Sequence, residues 1–180
     1  MTRRFHCALL IAAAVSACGR VEPPAEMPRI VADTTPPEGT RPRIVLSIDR
    51  PIEWTFRFLN AGRVEARSVS SKAMVIPAVY AATDVDAFFV DLPKRLARAG
   101  SQAAAAPGAH GDQPITARSR AEATPEDFNN LAHDGGLYLV GRFDYDSANG
   151  TPCRTDFCRF TLEAGGFRDC PTHNEVRCEP

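Results

Sequence analysis

The chain has 180 residues, and its 21 Lys and Arg against 22 Asp and Glu leave a formal net charge of −1 at pH 7. This balance argues against nucleic acid as a partner, because nucleic-acid-binding domains carry a basic surface. Hydrophobic residues make up 44% of the chain and charged residues 24%, which are ordinary values for a globular protein. The length therefore predicts one packed domain with appendages and excludes two large domains.

Residues 1–17 have the layout of a signal peptide. Arg3 and Arg4 precede an apolar run at 8–15. That run is too short to cross the ~30 Å hydrocarbon core of a membrane as a helix. No later stretch approaches the ~18 uninterrupted apolar residues of a membrane span, so we expect no transmembrane helix elsewhere.

The signal peptide ends with Val15-Ser16-Ala17-Cys18, which resembles the lipobox of bacterial lipoproteins. The resemblance implies cleavage before Cys18, a diacylglyceryl group on its thiol, and an acyl chain such as palmitate on its amine. Since each buried methylene contributes ~0.8 kcal/mol, several chains would anchor the protein stably in a membrane. We expect a lipoprotein of the cell envelope, in the outer membrane rather than the inner, with its domain in the periplasm or at the surface. A plain secretory signal is the alternative.

Residues 19–43 are rich in proline and contain almost no large apolar side chain, with six of the 15 prolines of the chain. Such a composition favours extended polyproline II, which advances ~3.1 Å per residue and serves as a semi-rigid spacer. We therefore predict a lipidated cysteine and tether at 18–43 and a folded domain at 44–180.

From residue 44 the hydrophobic pattern has a period of two. Apolar side chains at Ile52, Trp54, Phe56 and Phe58 alternate with mostly polar ones, which predicts a half-buried strand with an aromatic face. The clearest strand pair flanks Asn149-Gly150, a strong hairpin signal. The predicted strands besides that of the aromatic face are 44–48, 64–79, 114–120, 137–145, 154–162 and 167–170.

Two connections have helical patterns. An apolar stripe predicts a helix from Asp84 to about Ala99, with Thr83 as its cap and Pro93 bending or ending it. The run Thr124-Pro125-Glu126-Asp127 opens a second, short helix through Leu131. Short strands with one or two helices in the connections predict a mainly β fold, an antiparallel two-sheet β-sandwich of the immunoglobulin-like kind.

Several segments carry a further resemblance: Tyr138–Tyr145, Asn149-Gly150, Thr155–Cys158, Gly166-Phe167 with Cys170, His173-Asn174 and, upstream, 56–66. Together they resemble the C-terminal β domain of a set of uncharacterised bacterial envelope proteins. The likeness covers 44–178 and implies a β fold without implying an activity. This chain has Cys153 where those proteins carry a histidine.

Four cysteines follow the tether, at 153, 158, 170 and 178. An exported protein favours disulfides over a four-thiolate zinc site, and no C-x-x-C spacing is present. With a turn at Asn149-Gly150, Cys153 and Cys158 lie ~16 Å apart on opposite faces of one strand, too far for a disulfide. A turn centred on Ala164 sets Cys158 opposite Cys170 and leaves Cys153 for Cys178. A slip of one residue in the strand register would again allow a disulfide between Cys153 and Cys158.

No known catalytic or cofactor motif stands out in the sequence, so we predict neither cofactor nor metal. Asp144, Asp146 and Asn149-Gly150 suggest a calcium loop, but the spacing is off by one and the bidentate Glu is missing. The leading hypothesis is a non-enzymatic binding or structural module with an envelope protein or glycan as partner. The alternative is a hydrolase whose loop residues His110, Asp112 and Asp127 are brought together by the fold.

The lipobox generates a direct test. We expect the mature protein to partition with membranes, and the variant Cys18→Ser to remain unprocessed or to become soluble, because it has no thiol to lipidate. Intact-mass measurement of the membrane fraction checks this prediction. An unmodified N-terminus at or near Cys18 in the exported wild-type chain would contradict it.

Overall fold

The computed structural model describes residues 27–35, 43–97, 104–133, 136–161 and 167–179. The signal peptide, Cys18 and most of the tether lie outside these ranges. The described strands are β1 Ile30–Asp33, β2 Arg43–Val45, β3 Pro51–Asn60, β4 Ala66–Pro77, β5 Ile115–Glu122, β6 Leu137–Ser147, β7 Pro152–Thr161, β8 Phe167–Asp169 and β9 Glu175–Cys178. The helices are α1 Ala81–Val90, entered through a 3₁₀ turn at Ala78–Tyr80, and α2 Pro125–His133.

The strands form one sheet in the order β1-β3-β5-β4-β6-β7-β8, with β2 also paired to β3 and β9 also paired to β7. All pairs are antiparallel except β4 with β5, which is parallel. The predicted mainly β class is confirmed. The arrangement differs from the expected pair of antiparallel sheets: the described strands make a single mixed sheet that curls into a half-barrel. Pairing continues without a break from β3 to β7, so no second sheet separates from the first.

The concave face of the sheet encloses an aromatic core. Trp54, Phe56 and Phe58 of β3 are at most 4% exposed, as the alternation predicted. Across the core, the Phe56 ring meets that of Phe157 with centroids 5.8 Å apart, and Phe143 stacks on Phe157 at 4.9 Å. These contacts between β3 and the β6–β7 hairpin bury the apolar area that holds the curled sheet together.

Part of the expected tether belongs to the folded domain. β1 pairs antiparallel with β3, and its Ile30 is fully buried against the aromatic core. The boundary predicted at residue 44 is therefore too late. The reason is that β1 has only four residues and lies among prolines, so its two inward side chains, Ile30 and Ala32, are too short a pattern to identify a strand.

Side chains close the seam where the curl of the sheet brings β1 towards β6 and β7. Tyr145 donates its hydroxyl hydrogen to the carbonyl oxygen of Pro28 at 3.3 Å. Arg159 donates to the carbonyl oxygen of Ala32 at 3.1 Å and to the hydroxyl of Thr34 at 2.9 Å. These bonds satisfy carbonyl groups that would otherwise form an open sheet edge.

α1 is shorter than the sequence predicted and begins earlier. It starts at Ala81 and ends at Val90, and its N-cap residue, Tyr80, makes no capping bond with its side chain. Thr83, the expected cap, instead donates its hydroxyl hydrogen to the Tyr80 carbonyl within the helix. The chain leaves the helix before Pro93, because proline has no N–H to donate and restricts the residue before it to extended conformations.

The start of α2 matches the sequence prediction. The Asp127 amide donates to the Thr124 hydroxyl at 3.2 Å, and the Thr124 amide donates to the Asp127 carboxylate at 2.8 Å. This reciprocal pair is a capping box, which satisfies two amide donors at the helix start.

The predicted hairpin is present and longer than expected. β6 and β7 pair in one register from Tyr138 opposite Phe160 to Asp146 opposite Pro152. Gly150 has φ +84° in the turn, a conformation that glycine adopts without strain.

Both disulfides join cysteines that lie directly opposite each other on paired strands. Cys153 bonds Cys178 across β7 and β9, with Cα atoms 4.0 Å apart. Cys158 bonds Cys170, 5.3 Å apart, at the start of the β7–β8 register that is centred on Ala164. These are the two pairs that the strand geometry predicted. The sequence did not predict β9, which has four residues.

Removing either disulfide should lower the free energy of unfolding by ~2–4 kcal/mol, because each closes a loop in the unfolded chain. The Cys153–Cys178 loop spans 25 residues and the Cys158–Cys170 loop spans 12. The paired change Cys153→Ala with Cys178→Ala should therefore cost ~0.6 kcal/mol more than Cys158→Ala with Cys170→Ala. Denaturant unfolding measures both. Equal unfolding midpoints with and without reductant would contradict the prediction.

Candidate functional site: a polar cleft on the outer face of the sheet

The side chains of β6 alternate between the two faces of the sheet, and both faces are covered. Phe143 and Tyr145 point into the aromatic core, while Arg142 and Asp144 point outward and are only 6% and 4% exposed. At one end of the outer face lies a second apolar cluster, where α1 packs on β4, β6 and β7. The other end is polar.

The polar end consists of two rows of side chains that run across four strands. Residues opposite each other on paired strands point to the same face, so the rows follow from the register. From β4 through β6 and β7 to β9, the first row is Lys72, Arg142, Asp156 and Glu175, and the second row is Ser70, Asp144, Arg154 and Arg177.

A buried ion pair forms the base of this region. The Arg142 guanidinium donates two bonds to the Asp156 carboxylate, Nε to Oδ1 at 2.5 Å and Nη2 to Oδ2 at 3.0 Å. Its Nη1 donates to the carbonyl oxygen of Pro93 at 3.0 Å. The hydrogen bond to Asp156 raises the pKa of Arg142, although burial alone would lower it. The forked geometry fixes the guanidinium in position and keeps it charged.

Residues 91–97, here called the crossing segment, lie over the polar rows. The Leu96 amide donates a short hydrogen bond to the Asp144 carboxylate. Arg95 donates to the Tyr145 carbonyl at 3.4 Å and pairs with Asp146 at 3.6 Å. Residues 91–97, which the sequence assigned to the second half of a helix, instead form an irregular segment held over the sheet by polar groups of β6.

Beside the crossing segment the surface forms a shallow, open cleft whose enclosed volume is only about 20 Å³. Its lining contains four basic and two acidic side chains: Lys94, Arg95, Arg154 and Arg177 with Asp144 and Glu179, together with Pro152 and Cys153. Pockets that enclose whole small-molecule ligands measure ~300–1,000 Å³. The enclosed part of this cleft holds about one water molecule, so a ligand could only be contacted at its surface, through one group of a larger partner.

Three polar atoms of the second row are buried and have no hydrogen-bond partner among the described residues. They are Ser70 Oγ, Asp144 Oδ1 and Arg154 Nε. The three residues are direct neighbours on β4, β6 and β7. Since an unpaired buried polar atom costs ~1–3 kcal/mol, a group bound at this row would recover free energy that the folded chain gives up.

The fold does not bring together the three residues of the hydrolase hypothesis. His110 forms a bridge with Leu59, near the end of β3, and its Nε2 contacts Asp33 Oδ2 at 2.6 Å. Asp127 takes part in the capping box of α2, next to the residues that pair with the start of β3. The two ends of that strand are ~30 Å apart at ~3.3 Å per residue. Asp112 is exposed.

Comparison with protein-family models, with curated proteins and with solved structures finds no match to this chain. Within the described ranges, neither helix has the length and apolar character needed to span a membrane. The proposals below therefore depend on the residues and their geometry.

Sequence reasoning did not identify the cleft, although one signal was present. In the observed register, which is centred on Asn149, Arg142 lies opposite Asp156 and Asp144 lies opposite Arg154. Two opposite-charge pairs in consecutive outward positions of one hairpin are a cross-strand pattern that stabilises a sheet. What the sequence could not show is that residues 91–97 and β9 come to lie on either side of these pairs.

Breaking the buried ion pair should destabilise the protein strongly. Asp156→Ala leaves the Arg142 charge buried without its partner, and we expect a loss of ~3–5 kcal/mol in the free energy of unfolding. Glu53→Ala is the matched control, because it removes the partner of the exposed Arg118 and should cost ~0–1 kcal/mol. Denaturant unfolding compares the two variants. Equal losses in the free energy of unfolding would contradict the prediction, because the buried Arg142–Asp156 pair would then contribute no more than the exposed Glu53–Arg118 pair.

The ion pair of Asp33 predicts an acid-sensitive contribution to stability. Burial raises the pKa of Asp33, but hydrogen bonds from Thr35 and His110 outweigh it and lower the pKa below 3.8. A lowered folded-state pKa means stability that is present above pH ~3.8 and lost as the pH falls through the folded-state value. Wild type should therefore exceed Asp33→Asn in melting temperature at pH 6 and lose that advantage by pH 2. A pH-independent difference would contradict this assignment.

Proposed function

We propose that this chain is a lipid-anchored, non-enzymatic binding module of the bacterial cell envelope, and that it holds an envelope partner at the polar cleft. The observation that carries the proposal is the cleft itself. Basic side chains from the crossing segment, β7 and β9 line it, and the buried Arg142–Asp156 ion pair lies in the neighbouring row of side chains. Its small size suits a group presented by a protein or glycan rather than a free metabolite.

The anchor and the address rest on the N-terminal sequence. The lipobox supports lipidation at Cys18, and the proline-rich residues that follow support a spacer between membrane and domain. Two disulfides support an oxidising compartment, that is, the periplasm or the cell surface. The balanced charge of the chain argues against a nucleic-acid partner.

The test is site-specific photocrosslinking in intact cells with the lipidated, full-length protein. A crosslinking amino acid replaces Lys94, which is exposed and lines the cleft, or Arg57, which is exposed on β3. We expect a defined covalent product from position 94 and none from position 57. The same product from both positions, or none from position 94, would overturn the proposal.

The variant Cys18→Ser is the control for the anchor. It should retain the sheet and both disulfides, since none of their described contacts involves Cys18. It should lose the crosslinked product of position 94 when the partner is fixed in the same envelope layer. An undiminished product in this variant would show that the anchor is not needed to reach the partner.

A further inference from the structure

We infer that the polar cleft binds a carboxylate group of an acidic peptide segment, held between Arg154 and Arg177 with Lys94 at the rim. This inference rests on the proposed function and specifies the chemistry of its partner. The three basic side chains come from three separate elements, β7, β9 and the crossing segment, and line one cleft.

The register places two like charges side by side. Arg154 and Arg177 are directly opposite each other on β7 and β9 and point to the same face. Like charges in this position destabilise a strand pair unless an anion lies between them. Glu175 pairs with Arg177 from within β9, whereas the Nε of Arg154 is buried and has no hydrogen-bond partner among the described residues. A carboxylate between the two guanidinium groups would satisfy this donor and reduce the repulsion.

The spacing of the two arginines is fixed before any ligand arrives. The Cys153–Cys178 disulfide joins the neighbouring pair of residues on the same two strands, and the Glu179 amide donates to the Pro152 carbonyl at 2.9 Å just beyond it. Asp144, beside Arg154, is held by the Leu96 amide. A site whose groups are held in place loses little conformational entropy on binding.

The charges of the lining favour an anion without choosing between carboxylate and phosphate. Asp144 and Glu179 line the same cleft as the basic side chains. A doubly charged phosphate doubles the repulsion from these two acids and also doubles the attraction to the cations, so competition with inorganic phosphate decides between the two anions. The planar guanidinium fork matches the two oxygens of a carboxylate.

The same two acidic residues also favour a peptide as the carrier of the carboxylate. The Oδ1 of Asp144 is buried without a hydrogen-bond donor, and Glu179 is exposed at the rim. Carboxylate oxygens accept hydrogen bonds from backbone amides. A peptide presents amide donors next to each acidic side chain, so it offers both the anion for Arg154 and a donor for Asp144.

The experiment uses the lipidated, disulfide-bonded chain in detergent and a fluorescent hexaglutamate peptide, acetylated and amidated at its ends. Fluorescence anisotropy should show saturable binding that weakens with salt, and hexaglutamine should bind at least ~10-fold more weakly. Lys94→Gln should weaken hexaglutamate binding ~2–5-fold, as expected for one exposed charge pair. Arg154→Gln should weaken it ~10-fold or more, because its bond is charge-assisted and partly buried.

Two further variants separate a specific site from general charge attraction. Glu179→Gln removes a negative charge from the cleft and should tighten hexaglutamate binding, in the opposite direction to the arginine variant. Arg57→Gln removes an exposed positive charge that does not line the cleft and should leave binding unchanged. Because Lys94 and Glu179 are both exposed, their variants report on the site even if Arg154→Gln impairs folding.

Several results would overturn the inference. Equal loss of binding in Arg57→Gln and Lys94→Gln would show non-specific attraction. Displacement of hexaglutamate by inorganic phosphate at equal concentration would assign the site to phosphate, and preferential binding of an oligogalacturonate would assign it to a carboxylated glycan. Absence of hexaglutamate binding while the position 94 crosslink persists would overturn the carboxylate inference and leave the binding module standing. Specific hexaglutamate binding without that crosslink would support a carboxylate site and overturn the proposal of an envelope partner.

Discussion

The structure depends on β6, a strand whose two edges are paired and whose two faces are covered. β6 pairs with β4 and β7, the aromatic core covers one of its faces, and α1 with the crossing segment covers the other. A charged side chain on such a strand must find its partners within the protein, because a buried unpaired ion costs several kcal/mol. Arg142 meets this requirement with the Asp156 carboxylate and the Pro93 carbonyl. The course of the chain after α1 is therefore set by the hydrogen-bonding needs of β6.

The same constraint connects stability to the candidate site. Two groups fix the crossing segment: Asp144, which lines the cleft, and Arg142, which lies in the neighbouring row of side chains. One disulfide holds β9 beside the cleft, and the other ties the end of β8 to the apolar cluster of α1. A cleft supported in this way keeps its shape in the free protein, which suits recognition of a partner better than chemistry that requires moving parts.

The polar cleft also explains why the outer face of the sheet is divided. Under α1 the paired positions carry apolar side chains such as Val140 and Cys158, which pack on the helix. Beyond Pro93 the helix cannot continue, and the paired positions carry charges instead. The change from apolar to charged pairs along β6 and β7 coincides with the end of helical cover. A surface of charged residues that is half covered by the crossing segment leaves donors and acceptors available to another molecule.

The sequence by itself determined the features that depend on neighbours along the chain. Alternation on β3, the hairpin at Asn149-Gly150 and the helix cap at Thr124 each follow from local spacing. The turns expected at Asn149-Gly150 and Ala164 ranked the disulfide pairs. Tertiary structure decided that Ile30–Asp33 joins the sheet and that α1 ends at Val90. It also decided that the strands form one curled sheet. Only in the folded chain do Lys94, Arg154 and Arg177 line one cleft. These outcomes depend on contacts between residues distant in the sequence, whose free energies have no local pattern. A four-residue strand such as β1 is stable only because the aromatic core and the carbonyl partners Tyr145 and Arg159 are already in place.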